Sequence, residues 1–343
     1  MPVPRLSRRA TLLAGLGMLA APSLARAQAT ELRVSLNTTF DGSNAAFFLG
    51  EERGFFRDAG LRCQFDASGG SGEAVNRIGS GAYDVGIADI NVLLEFNGRN
   101  PAAAGRCVYM LYYRSPLSVC SVDRAGITRP ADLAGKRIGT AQTDGAFRLF
   151  PVYARLTGVD ASAVRFTFGN LQIREALLLR GEVDAILGFD STMHFGLVRA
   201  GIRPETLRYL YYADVPGFPL YGNGVNVSGR LLQSNPDAVR RFTLAAARSW
   251  QAAVADPAAA IAALARRERL TDVPLELEKL RWLIRNQLVT EESRADGLGG
   301  VRADRLAAST RLVAEGFGIG VPGAGELFDA SFLPPAEVRR LPA

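Results

Sequence analysis

The sequence is poor in the residues that most often build metal and acid–base sites. Its 343 residues include one histidine and three cysteines, spaced so that they form no Cys/His cluster, and we therefore expect neither a metal nor a cofactor. Lysine is almost absent, since Lys136 and Lys279 are the only lysines among 40 basic residues. Beyond the first thirty residues there is no basic block that would suggest nucleic acid, and no apolar run long enough to embed the chain in a membrane.

Motifs of common enzyme classes are missing as well. The glycine-rich stretch at residues 68–72 lacks the G-x-G-x-x-G spacing of a dinucleotide fingerprint, and no Gly-Lys-Ser/Thr follows it as in a P-loop. No G-x-S-x-G nucleophile elbow occurs, and His194 is the only imidazole available for acid–base work. We therefore expect no catalytic residue, and a function in binding rather than turnover.

The first 27 residues have the features of a cleavable signal peptide. A basic start precedes an apolar stretch of about 15 residues, and Ala25 and Ala27 follow at A-x-A spacing. That stretch is shorter than the roughly 20 residues of a membrane-spanning helix. Arg8 and Arg9 resemble the pair of a twin-arginine export signal. Cleavage near Ala27 would leave a periplasmic chain whose formal charge falls from +6 to about +2, because four arginines are lost.

An odd number of cysteines is unusual in an exported chain. Cys107 and Cys120 flank the apolar segment "VYMLYYRSPLSV". They form a disulfide if neighbouring strands bring them together, and they are buried free thiols otherwise. The sequence leaves both possibilities open.

Short apolar segments alternate with amphipathic ones over the first two thirds of the mature chain. The pattern predicts strands at 31–37, 61–67, 84–89 and 106–113 with helices between them, and the alternation starts again near residue 130. This pattern is typical of an α/β fold with mostly parallel sheets covered by helices on both faces. The two halves share a helix, a Gly-x-x-Asp and an apolar strand ending in Asp, formed by Gly81, Asp84 and Asp89 and by Gly181, Asp184 and Asp190. Two lobes are therefore expected rather than one long sheet.

Two segments are predicted to cross between the lobes: 112–123, which contains one proline, and 211–228, which contains prolines and glycines. Lobe 1 would comprise residues 30–115 and 222–343, and lobe 2 residues 116–221. The sequence after Arg230 is mainly helical, with apolar residues at three- and four-residue spacing. We expect these helices to pack on the first lobe and assign them no site residue.

Ligands of wound sheets bind outside the carboxyl ends of the strands. The candidate ligand-binding residues at these ends and in the crossings are Thr39, Phe40, Asp41, Ser68, Gly70, Ser71, Asp89, Asn91, Arg114, Gln142, Asp144, Phe147, Asn170, Phe189, Asp190 and Tyr221. Some have a second possible role. Ser71 could cap the following helix, and Arg114 and Tyr221 could brace the hinge instead of facing the cleft.

Four segments, in order along residues 31 to about 228, resemble one group of proteins: "AAFFLGEERGFFRDAGL", "SGGSGEAVNRIGSGAYDVGIADI", "ITRPADLAGKRIGT" and "LLLRGEVDAILGF". The group is the ABC-transporter substrate-binding proteins for alkanesulfonates, taurine, nitrate, riboflavin and thiamine pyrimidine precursors. The resemblance implies a periplasmic-binding-protein type II fold, with two lobes of wound mixed sheet and a helical C-terminal portion. It also implies a monomer that closes on a small-molecule solute and delivers it to a permease and its ATPase.

The pyrimidine synthases of this group use an iron-binding cysteine-rich motif and a donor histidine. This chain has no such cysteine cluster, and we do not expect that activity.

The candidate residues include four aspartates, whereas a site for nitrate or a sulfonate should not need several nearby carboxylates. Four aromatic residues could stack on a flat ring: Phe40, Phe147, Phe189 and Tyr221. The sequence thus favours an aromatic or heterocyclic solute with N–H donors, such as a pyrimidine- or flavin-like compound. Two alternatives remain. One is a sulfonate, nitrate or organic acid held by Arg114, Arg148 and Arg174 with the glycine turn, and the other is a secreted enzyme on the same scaffold.

Overall fold

The computed structural model describes residues 29–323 and 325–342, apart from the side chain of residue 172, and the predicted signal peptide lies outside this range. The strands of the described chain are β1 (Thr30–Ser35), β2 (Leu61–Asp66), β3 (Val85–Asp89), β4 (Arg106–Met110), β5 (Leu117–Val122), β6 (Arg137–Thr140), β7 (Arg165–Phe168), β8 (Ala185–Phe189), β9 (Leu207–Tyr211) and β10 (Asn223–Val227). The helices are α1 (Ala45–Glu52), α2 (Phe55–Asp58), α3 (Ser71–Gly79), α4 (Ile90–Arg99), α5 (Gly145–Thr157), α6 (Leu171–Leu179), α7 (Asp190–Arg199), α8 (Gly229–Ser234), α9 (Pro236–Ala255), α10 (Pro257–Arg267), α11 (Val273–Leu283), α12 (Glu291–Asp296), α13 (Ala303–Phe317) and α14 (Ala336–Arg339).

The strands form two five-stranded sheets with the same layout. The order is β2-β1-β3-β10-β4 in lobe 1 and β7-β6-β8-β5-β9 in lobe 2. The fourth strand of each sheet is antiparallel to both of its neighbours. In each lobe it is the strand that directly follows a crossing: β5 where the chain enters lobe 2, and β10 where it returns to lobe 1. The predicted α/β fold of two lobes, each a mixed sheet flanked by helices, is confirmed. The boundaries at residues 115/116 and 221/222 stay a prediction.

The repeated Gly-x-x-Asp motif has the same structural role in both lobes. Gly81 and Gly181 adopt positive φ angles of 76° and 70°, a conformation that a Cβ atom disfavours. Three residues later, the carboxylate of Asp84 or Asp184 accepts a backbone N–H from the adjacent parallel strand, at 2.9 and 2.8 Å respectively. The motif therefore turns the chain into a central strand and fixes the start of that strand to its neighbour.

The C-terminal helices contact both lobes. Helices α9 and α10 pack on α1 of lobe 1, and α13 packs on α4 of the same lobe. In addition, α11 contacts α7 and α13 contacts α5, both in lobe 2. A π-helical turn, Ile284–Leu288, follows α11, and the carbonyl oxygen of Gln287 in it accepts the N–H of Tyr113 at 2.7 Å. The C-terminal region thus braces a crossing segment.

The three cysteines are free thiols. Cys107 lies in the sheet of lobe 1 and Cys120 in that of lobe 2, and both are fully buried. Burial raises the pKa of each of these two thiols to about 12. Of the two possibilities left open, the buried free thiols are the one observed. No helix of the described chain is long and apolar enough to cross a bilayer.

Candidate functional site

The loops after the strands of both sheets meet at a cleft that contains two connected spaces. The inner cavity, about 20 Å³, lies between residues that follow β1, β2, β6 and β8, and it has room for about one water molecule. The outer pocket, about 340 Å³, lies between the loop after β1, α6, α7 and α11, and its size suits a small organic ligand. Both spaces are lined by Thr38, Leu171 and Thr192.

Seven of the residues predicted from the sequence line these spaces. Thr39, Phe40 and Asp41 line the outer pocket, and Gly70, Ser71, Asp144 and Phe189 line the inner cavity. The structure thus brings together residues that lie up to 150 positions apart, measured from Thr39 to Phe189. Whether they bind a ligand stays a prediction.

The aspartates at the ends of β3 and β8 do not line either space. The Oδ1 atom of Asp89 accepts the backbone N–H of Asn91 at 2.8 Å, and that of Asp190 accepts the N–H of Ser191 at 2.6 Å. Both carboxyl groups are buried, with their residues 0% and 1% exposed. The side chain of Asn91 donates to Asp89 and to the carbonyl oxygen of Tyr221. These groups fix helix starts beside the hinge.

Burial makes Asp89 and Asp190 sensitive to pH, since it raises the pKa of each from 3.8 to about 6. Each then holds a proton near pH 4.5 in the folded state that it has largely lost in the unfolded state, and this stabilisation disappears as the pH rises through 6. We compare the free energy of unfolding of Asp190→Asn with that of wild type at each pH. The difference, variant minus wild type, is expected to be about 2 kcal/mol more favourable to the variant at pH 8 than at pH 4.5. Urea unfolding at the two pH values measures this, and an equal effect at both would contradict it.

The other predicted residues outside the two spaces have structural contacts. Phe147 packs edge-on against Phe166 and Phe168, at ring-centroid distances of 5.2 and 5.0 Å. The hydroxyl of Ser68 donates to the carbonyl oxygen of Leu36 at 2.5 Å. The side chain of Asn170 accepts the N–H of Ile173 at the start of α6, and Gln142 is exposed.

Arg114 and Tyr221 brace the crossings rather than face the cleft. Arg114 forms an ion pair with Asp214 at 2.7 Å. The hydroxyl of Tyr221 donates to Glu292 at 2.5 Å and accepts the N–H of Arg302 at 2.9 Å. Neither residue lines the two spaces, and a role in bracing the hinge stays a prediction.

The glycine turn after β2 is a contact between the lobes. The N–H of Gly72 donates to the carbonyl oxygen of Thr143 in lobe 2 at 2.9 Å, and the Thr143 hydroxyl donates to the carbonyl oxygen of Gly69 at 2.6 Å. A Cβ atom at Gly70 would lie 2.7 Å from the Thr143 oxygen, and one at Gly72 would lie 3.0 Å from it. Glycine is therefore required for this approach. Ser71 does not cap α3, because Gly70 occupies that position and the Ser71 hydroxyl accepts the N–H of Asp89.

Two ion pairs also join the lobes. Arg148 on α5 donates to both carboxylate oxygens of Glu95 on α4, at 2.9 and 2.8 Å, and Glu95 is nearly buried. Arg199 on α7 pairs with Glu276 on α11. Together with the Thr143 contacts, these pairs connect the two walls of the cleft.

A buried ion triad lies beside the inner cavity. The guanidinium of Arg174 is 3.1 Å from Asp144 and 2.7 Å from Glu175, and it donates to the carbonyl oxygen of Leu187 at 2.8 Å. Arg174 is only 1% exposed. The triad links the start of α5, helix α6 and strand β8.

Sequence reasoning missed the part of the pocket that α11 supplies. The Nζ atom of Lys279 lies 2.9 Å from Glu276 and 3.3 Å from Asp41, and all three line the outer pocket. Lys279 is 4% exposed. One of only two lysines in an arginine-rich chain, three residues after an acid on a helix, was the available signal.

His194 lies outside the cleft. It stacks on Trp282 at 4.7 Å, its Nδ1 atom is 3.1 Å from the Tyr209 hydroxyl, and burial lowers its pKa. It borders an apolar groove of about 410 Å³ on another side of α7 and α11. The described residues also contain no group of His, Cys, Asp and Glu that could hold a metal ion.

A larger depression, about 1100 Å³, lies beside the amino ends of β3 and β4, with Gly81 and Arg106 in its lining. Ligands of wound sheets bind at the opposite, carboxyl ends. The cleft is therefore the better candidate despite its smaller volume.

Comparison with known proteins connects this geometry to one family. Residues 42–260 match the family model described as "NMT1/THI5 like". A 4-amino-5-hydroxymethyl-2-methylpyrimidine phosphate synthase of Aspergillus parasiticus is 24% identical over 227 residues, covering 63% of this chain and 65% of the synthase. The riboflavin-binding protein RibY of Chloroflexus aurantiacus is 25% identical over 218 residues, covering 62% of this chain and 59% of RibY. The chain thus matches less than two thirds of the length of either relative.

A solved structure shows the same fold over nearly the whole chain. The alkanesulfonate-binding protein SsuA of Xanthomonas axonopodis pv. citri, bound to MOPS, superposes with a TM-score of 0.64 at 17% identity. The superposition covers 90% of this chain and 99% of SsuA.

Proposed function

The chain belongs to the NMT1/THI5-like family, and on that premise we propose that it is an extracytoplasmic solute-binding protein of an ABC importer. It captures a small organic solute between its lobes and delivers it to a membrane permease. The observation that carries this proposal is the outer pocket, whose walls come from both lobes: Phe40 and Asp41 from lobe 1, and Leu171 and Thr192 from lobe 2.

Closure couples binding to a change of shape. A solute contacts both walls only when the lobes approach each other, so its binding shifts the population toward the closed form by the free energy of the second-wall contacts. A shift from mostly open to mostly closed needs about 5 kcal/mol of differential affinity. The inter-lobe contacts of Thr143, Arg148 and Arg199 also favour the closed form, so the solute has to supply less of this free energy itself.

The solute we propose is aromatic or heterocyclic, such as a pyrimidine- or flavin-like compound. Phe189 lines only the inner cavity, which is too small to hold a ring. Phe40 lies in the wall of the outer pocket, held edge-on by Phe48 at 5.2 Å. Flat rings stack favourably on such side chains. The riboflavin-binding relative supports this choice, whereas the alkanesulfonate-binding neighbour supports the anionic alternative.

The proposed location follows from the predicted signal peptide, and the proposed partners follow from the similarity to solute-binding proteins. We propose that export cleaves the chain near Ala27 and releases a periplasmic monomer. The closed lobes then dock on the permease, whose ATPase drives transport. No nucleic-acid partner is expected.

Thermal-shift screening of the mature chain tests the proposal. The panel comprises pyrimidines, flavins, alkanesulfonates and aromatic carboxylates, and small-angle scattering follows closure. One class is expected to stabilise the fold by about 2.7 kcal/mol at a hundredfold excess over its Kd and to reduce the radius of gyration. Stabilisation without compaction would contradict binding by closure.

A synthase is the second candidate, because one relative bears that name. The residues that line the two spaces include neither a cysteine nor a histidine, which favours binding. Mass spectrometry of ligands recovered after incubation separates the two. An unchanged ligand supports the binder, and a chemically altered one supports the enzyme.

A further inference from the structure

The charges around the cleft select a class of solute. We propose that the outer pocket takes a positively charged, donor-rich solute, such as a protonated amine or an amidinium attached to a ring, and rejects anions. This inference rests on the proposed function, since it concerns the same cleft.

The first support is the balance of charge. Four carboxylates line the two spaces together with three cationic side chains, namely Asp41, Asp144, Glu175 and Glu276 against Arg174, Arg199 and Lys279. One negative charge is left over. A cationic solute brings the closed cleft to neutrality, whereas an anion doubles the excess in a space from which water is largely excluded.

The second support is that each cation already has protein partners. Arg174 directs its guanidinium at Asp144, at Glu175 and at a backbone carbonyl oxygen. Lys279 lies between Asp41 and Glu276. Arg199 pairs with Glu276. An anionic solute would have to displace one of these carboxylates before it could reach a cation.

The third support is a surplus of acceptors. Both bonds from Arg174 to Glu175 end on Oε1, and no described residue donates a hydrogen bond to Oε2. Glu175 is 8% exposed and lines the outer pocket. The Oδ1 atom of Asn37, in the lining of the inner cavity, is buried and has no partner among the described residues. The buried Asn37 oxygen calls for a donor, and the Glu175 Oε2 atom can accept one from the outer pocket. An amidinium offers several N–H groups and a charge that the carboxylate favours.

The test uses three probes of nearly one shape and different charge: benzamidine, benzamide and benzoate. Titration calorimetry on the mature chain is expected to give benzamidine an affinity at least tenfold higher than that of benzamide, and no detectable binding of benzoate. Scattering should show closure with benzamidine.

Variants test the charge directly. Ala200 lies exposed at the rim of the outer pocket, where Ala200→Lys adds a cation without filling the core. It should weaken benzamidine binding at least fivefold and leave benzamide unchanged. The matched control is Ala131→Lys, which adds the same charge at an exposed position away from the described spaces. Glu175→Gln should weaken benzamidine binding at least tenfold. If Glu175→Gln does not fold, the effect of Ala200→Lys on benzamidine binding remains the test of the proposed charge preference.

The outcomes separate this inference from the proposed function. The charge assignment is overturned if benzoate binds more tightly than benzamidine and induces closure, or if all three probes bind with equal affinity. Either result remains compatible with the proposed solute-binding function. Absence of closure with these probes and with every compound of the screening panel counts against the binding function itself.

Discussion

Gly72→Val is expected to lower solute affinity at least tenfold while leaving the unfolding of the chain nearly unchanged. The Cβ of residue 72 would lie 3.0 Å from the carbonyl oxygen and 3.3 Å from the Cα of Thr143, both backbone atoms of the opposite lobe. Valine adds two methyl groups to this contact, and overpacking of this kind costs about 1–3 kcal/mol. The cost falls only on the closed form, because the clashing atoms belong to the other lobe.

Calorimetry with the solute identified by screening measures the loss, and urea unfolding checks the fold. Gly320→Val is the matched control, since a Cβ there meets nothing within 4 Å. An affinity unchanged by Gly72→Val would show that the glycine turn and Thr143 do not approach each other in the bound state.

Arg174→Met is expected to destabilise the fold by about 3–5 kcal/mol. Removing one partner of a buried ion pair leaves the other charges without compensation, and this costs more than the pair itself contributes. Here two carboxylates, those of Asp144 and Glu175, would lose their common partner, and the carbonyl oxygen of Leu187 would lose a donor. The affected groups lie in three elements of lobe 2, so the whole lobe should unfold at lower urea.

Arg180→Met provides the comparison, because Arg180 lies just after the same helix and its pair with Glu182 is half exposed. Its effect should be much smaller, as for other exposed ion pairs. Equal midpoints of urea unfolding for the two variants would show that the Arg174 triad is not a buried support of the fold.

The two-lobed fold was accessible from the sequence because its signals are local. The Gly-x-x-Asp motif is a turn followed by the start of a strand, and it occurs once in each lobe at equivalent positions. Apolar alternation marked the strands β1 to β4 to within a few residues, whereas β9 was not predicted. Residues at strand ends, such as Gly70, Asp144 and Phe189, were found by the rule that ligands bind there.

The remaining parts of the candidate site depend on long-range placement, which local patterns do not encode. The amphipathic pattern of α11 shows that it packs, yet not that Lys279 reaches Asp41 across 238 residues of sequence. An aspartate near a strand end looks the same in sequence whether it only caps a helix, as Asp89 does, or caps a helical turn and also lines a pocket, as Asp41 does. Only the three-dimensional arrangement distinguishes these roles.

The contacts of Thr143, Arg148 and Arg199 have protein atoms at both ends, so none of them passes through a solute. Under the proposed function, these contacts therefore raise the closed fraction of solute-free molecules, which remains the minority. Such a protein binds its solute at lower concentrations. The difference between its solute-bound and solute-free states is smaller, however, since some solute-free molecules also adopt the form that the transporter accepts. Substitutions that weaken the Arg148–Glu95 ion pair should lower the closed fraction of solute-free molecules and raise the solute concentration required for uptake.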